Sequence, residues 1–88
     1  MNEDSTVADR VVAILTQRLG ISPDVVTLTA ELAEDLGVDS VDAVEFTLAL
    51  EREFNVALPD ETITDVRTVK DVVDLVHQRT ALSAAARR

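Results

Sequence analysis

Eighty-eight residues, 47% apolar and 28% charged, suffice for one small hydrophobic core but not for two, so residues 1-88 are read as a single domain. The absence of cysteine excludes disulfides, thiolate metal sites and a cysteine nucleophile. A formal charge of -9 repels phosphate backbones and anionic membrane surfaces, which disfavours nucleic acid and lipid and favours basic protein surfaces as partners.

The N-terminal "MNEDSTVADR" carries acids where a signal peptide needs positive charge, and no apolar run approaches the roughly 18 residues of a membrane span, so a cytoplasmic, soluble protein is expected. Residues 6 to 19, "TVADRVVAILTQRL", repeat apolar residues at helical spacing through Val7, Val11, Ile14 and Leu15, with Gly20 placed to stop this first helix. From Gly20 to Val38, turn residues Ser22, Pro23 and Asp24 mix with scattered apolar side chains. That pattern predicts a long loop pinned to the core, with a short helical turn at "AELAEDL". Residues 39 to 55 read as the second helix, ended by "NVALPDE", where Pro59 breaks the run. A short turn of helix is expected from Glu61 to Asp65. The last helix opens at Thr68, whose hydroxyl can cap the backbone while Asp71 supplies a capping-box acid. Its Val69, Val72, Val73 and Val76 form a core-facing stripe. Beyond Gln78 the stripe stops, so the core is placed at about 6-79 and the tail, 80-88, is expected to fray. The fold class is therefore all-α: a small four-helix bundle of three longer helices and one short one, with a long loop between the first and second.

The second helix has two apolar sides. At about 100° per residue, Ala43, Phe46, Leu50 and Phe54 share one side and make the core stripe. Val41, Val44 and Leu48 form a second line pointing elsewhere, beside Glu45, Glu51 and Arg52. Either the long loop covers this line, or it is an exposed strip rimmed by acids, suited to an apolar groove with basic edges. The charge distribution bears on that choice: residues 31 to 65 hold eleven acids against one base, Arg52, a net of -10, while the rest of the chain carries +1. Concentrating charge in this way costs self-repulsion.

At the start of that helix, "GVDSVDAV" places Ser40 between two aspartates. A serine here can simply be the cap. If Asp39 is the N-cap instead, the spacing Asp39 to Asp42 approximates a capping box, and Ser40 falls at the first helical position with its hydroxyl released. A hydroxyl there can carry a phosphate, because unpaired amides and the helix dipole favour an anion. A hydrolase nucleophile would need a base and an oxyanion hole, and the chain lacks a G-x-S-x-G elbow. The only histidine, His77, is placed in the last turn of the last helix, where it suits the dipole. The acids lack the D-x-[DN]-x-[DN]-G spacing of a calcium loop, so neither catalytic nor metal-ligating residues are assigned.

The run "EDLGVDSVDAVEFTLALEREFNVALPDE", followed by "TVKDVVDLV", resembles the acyl carrier protein family, closest to the discrete carriers of type II fatty acid and polyketide synthesis. The likeness spans about Val7 to Gln78. It implies that a phosphopantetheinyl transferase moves 4'-phosphopantetheine from coenzyme A onto Ser40, and that acyl groups then ride on the arm as thioesters. The protein would catalyse nothing and act as a monomer, meeting acyltransferase, ketosynthase and other acyl-processing enzymes through their basic docking patches. The second helix would be the recognition helix, with Asp39, Val41, Asp42, Val44, Glu45, Leu48 and Glu51 at the docking positions. Family members also sequester acyl chains between the helices. Two features depart from the pattern: Val41 replaces the usual leucine, and Arg52 interrupts an acidic segment and could repel a basic partner or select a dedicated one. The competing readings are a noncovalent acidic adaptor docking through the same strip, and a peptidyl or aminoacyl carrier.

Overall fold

A computed structural model of the chain describes residues 3–59 and 65–86. Its architecture is all-α, with helices α1 (Glu3–Arg18), α2 (Ser40–Phe54) and α3 (Val69–Ala86). The short helix expected from Glu61 to Asp65 falls almost entirely on residues outside the described ones; Asp65 itself lies in a turn.

Helix α1 packs against both other helices through the stripe its spacing foretold, with Val11 and Leu15 wholly buried and Ile14 nearly so. It starts three residues earlier than the expected 6, because an apolar stripe carries no information about a polar turn that precedes it. Its end is set by backbone geometry. Gly20 adopts a left-handed φ of 70°, and the amides of Leu19 and Ile21 both donate to the Leu15 carbonyl at 3.3 Å.

The long connection from 20 to 38 remains a loop, containing a 3-10 turn at Pro23–Val25 and one α-type turn in which the Asp35 amide donates to the Glu31 carbonyl at 2.9 Å. Its backbone is satisfied by the segment leading into α3. The Leu32 amide donates to the Arg67 carbonyl at 2.8 Å, while Val69 and Lys70 donate to the carbonyls of Ala30 and Leu28 at 3.1 and 2.9 Å. These bonds, with the isolated antiparallel bridge between Glu31 and Thr68, let a structureless stretch stay in place over the core.

Helix α3 opens on a reciprocal cap: the Asp71 amide donates to Thr68 Oγ1 at 3.2 Å, and the Thr68 amide donates to Asp71 Oδ2 at 3.1 Å. Val69, Val72, Val73 and Val76 are all buried. Past Gln78 the helix continues to Ala86. No glycine or proline interrupts "RTALSAAA", and alanine has the highest intrinsic helix propensity, so backbone preference favours helix through this stretch. His77 consequently sits mid-helix rather than in a last turn, and its expected favourable interaction with the dipole does not apply.

Candidate functional site at the start of α2

The approach to α2 is held by the Val38 amide, which donates to the Leu32 carbonyl at 2.8 Å. Asp39 then takes extended backbone angles and serves as the N-cap: the Asp42 amide donates to Asp39 Oδ1 at 2.8 Å, and the Asp39 amide donates to Asp42 Oδ2 at a longer 3.4 Å. Ser40 is thus the first helical residue. It is exposed, and among the described residues its hydroxyl makes no hydrogen bond. No bond of the described residues uses the amides of Ser40 or Val41 either, so donors remain at the positive end of the helix. The flanking carboxylates of Asp39 and Asp42 oppose a free anion at the same place. An exposed hydroxyl beside free amides fits a covalently attached phosphate better than a captured one.

The second apolar line is bare. Val41, Val44 and Leu48 are 77%, 62% and 52% exposed, so the loop does not cover them. Most of its apolar residues are used elsewhere: Ile21, Val26, Ala30, Leu32 and Leu36 pack on the core, while Val25 and Leu28 stay about half exposed. On the opposite side of α2, Phe46 and Leu50 are buried and Ala43 and Phe54 partly so, in keeping with the helical wheel.

The acids beside the strip divide by role. Glu45 is exposed. Asp42 is bound into the cap. Glu51 turns back on the fold, its Oε2 accepting the Leu58 amide at 2.8 Å and tying the segment after α2 to the helix. Sequence reasoning missed this second duty because a contact seven residues away across a helix end has no periodic signature. Glu53 pairs with Arg10 of α1 at 3.0 Å.

A cavity of about 280 Å³ opens between the core side of α2 and the segment entering α3, with Ala43, Phe46 and Thr47 on one wall and Val66 and Val72 on the other. Arg67 and Glu31 also line it, and their side chains pair at 3.5 Å. Asp71 anchors this wall. The amides of Arg67 and Thr68 hold its carboxyl below the ordinary aspartate range, both donating at 3.1 Å. Lys70 is shifted in the opposite direction by its hydrogen bond to Asp74. Among the described residues no group of three or more histidines, aspartates or glutamates could hold a metal ion, and no helix is long and apolar enough to cross a membrane.

Residues 9–76 match the family described as "Phosphopantetheine attachment site". The chain is 42% identical over 81 residues to the acyl carrier protein of Thermosynechococcus vestitus, covering 92% of this chain and 99% of that protein. It is 39% identical over 77 residues to the acyl carrier protein of Zymomonas mobilis, covering 88% and 99% respectively. The crystal structure of an acyl carrier protein from Thermotoga maritima superposes with a TM-score of 0.76 at 30% identity, covering 88% of this chain and 89% of that one.

Proposed function

The chain belongs to the acyl carrier protein family, whose prosthetic group is phosphopantetheine, and from that premise we propose that Ser40 is the attachment residue. The observation that carries this reading is the division of labour at the start of α2: Asp39 holds the cap, which leaves the Ser40 hydroxyl exposed and unpaired at the first helical position. When attached, the arm supplies the thiol that this cysteine-free chain lacks, and with it the thioester that holds the acyl group.

The chain's own residues present that hydroxyl and are recognised around it. Asp39 and Asp42 keep the first turn rigid, so Ser40 Oγ is offered at one position to the phosphopantetheinyl transferase. Val41, Val44 and Leu48 provide an apolar docking strip, and Glu45, with the unsatisfied charge of Asp39 and Asp42, provides an acidic rim for the basic patches of acyl-processing enzymes. Glu51 belongs to this rim only in part, because Leu58 already engages its carboxylate. A strip this narrow suits weak, quickly released contacts, as a shuttle requires. The cavity beside Phe46 and Val72 is the space for the acyl chain between enzymes. The protein acts as a monomeric cytoplasmic carrier with no catalysis of its own, in fatty acid synthesis or a specialised polyketide pathway.

The test is intact mass before and after incubation with coenzyme A and a broad-specificity phosphopantetheinyl transferase. A gain of one phosphopantetheine is expected, and none in Ser40→Ala with unchanged helical circular dichroism. A gain that persists in Ser40→Ala would move the attachment site; no gain in the folded wild type would leave Ser40 without this role and favour a noncovalent adaptor.

A further inference from the structure

Arg52 was the one base in the acidic segment, and its surroundings give it a companion. A hollow of about 230 Å³ lies between α1 and α2, floored by Ile14 and Ala49 and rimmed by Arg10, Arg18 and Arg52. The acids nearby are already engaged: Glu53 pairs with Arg10, and the Glu51 carboxylate accepts the Leu58 amide. Arg18 and Arg52 are both exposed, and neither has an ion pair or side-chain hydrogen bond among the described residues. Three arginines, Arg10, Arg18 and Arg52, against two glutamates, Glu51 and Glu53, leave the described residues around the far end of α2 with a net charge of +1 in a protein of net charge -9.

The hollow also continues the docking strip. Arg52 follows Leu48 by four residues, on the line through Val41, Val44 and Leu48, and lies twelve residues from Ser40, about 18 Å along the axis at about 1.5 Å per residue. A partner lying along the strip from Ser40 meets acids first and arginines last. Guanidinium groups match carboxylates in a two-pronged geometry, and the aliphatic floor suits the stem of a side chain better than a bare inorganic anion. Long polyanions are disfavoured because they would overlap the acidic segment.

We infer that the hollow between α1 and α2 receives an acidic segment of the partner protein, so that the partner's docking patch is basic near Ser40 and acidic at the Arg52 end. This rests on the reading of the α2 strip as the docking surface. It adds a polarity that fixes the direction in which a partner lies on α2 and rejects partners that are basic throughout.

Two probe peptides test it against the full-length, isotope-labelled chain by amide NMR: an acetylated peptide alternating glutamate with leucine, and its lysine counterpart. The acidic peptide is expected to shift amides within 10–18 and 49–53. Its binding should weaken about tenfold or more in both R18E/R52E and R18A/R52A, and should vanish at about 1 M salt, where the screening length is about 3 Å. The basic peptide should shift amides within 39–48 in the wild type and in both variants. Acidic-peptide shifts that survive the substitutions, that centre on Arg67 and Lys70, or that never arise would overturn the inference. Equal shifts from inorganic phosphate at the same concentration would also overturn it, reducing the hollow to a simple anion site. Absence of the basic-peptide response would instead defeat the docking reading of α2, whatever the acidic peptide does.

Discussion

Asp71 and Asp39 perform the same backbone task at two helix starts, and each decides something beyond its own helix. Asp71 secures the turn that ties the first loop to α3, and its carboxyl lies below the ordinary aspartate range because the Arg67 and Thr68 amides donate to it. A lowered folded-state pKa means that the ionised group stabilises the fold above the unfolded value, and that this contribution is lost as the pH falls through the lowered one. Asp71→Ala should therefore reduce the urea midpoint at neutral pH. The gap from wild type should narrow once the pH passes below about 3.9; a gap that persists unchanged into acid would sink the assignment. At Ser40 the helix onset was legible in the sequence, where D-x-x-D spacing offered Asp39 as one of two possible caps; the structure gives the cap to Asp39. The amides left without acceptors beside it became visible only with the backbone in place.

Helix α2 carries opposite demands on its sides, and its periodicity revealed both lines without revealing what covers them. The structure answers through the loop, where Ile21, Val26, Ala30, Leu32 and Leu36 pack on the core and the backbone pairs with the α3 entry, leaving Val41, Val44 and Leu48 to solvent. The acids separate in the same way. Glu45→Lys is expected to slow modification by the transferase while leaving the urea midpoint unchanged. Glu51→Lys should slow modification less cleanly and also destabilise the fold by about 1 kcal/mol, because the Leu58 amide loses its acceptor. Equal unfolding midpoints for the two variants would show that the Glu51 contact contributes nothing measurable.

At the scale of the fold, stability rests among the described residues on twelve buried apolar side chains, drawn from α1, α2 and α3 and from Ala30 and Leu58 in the connections. Leu50→Ala, at a wholly buried position in the core, should cost about 3 kcal/mol in urea unfolding, a large share of the roughly 5–15 kcal/mol available to a domain. A loss under about 1 kcal/mol would show that the site collapses around the smaller side chain. By itself the sequence determined the all-α class, the two-sided second helix and the placement of Asp39 and Ser40 at a helix start, because these depend on spacing along the chain over a few residues. Tertiary structure alone decided that the strip is bare, that Glu51 is partly engaged, that Ala43, Phe46 and Val72 border one cavity, and that Arg18 and Arg52 share one hollow. Each of these joins residues distant in sequence or asks what a face meets, and only the packing of one element on another specifies either.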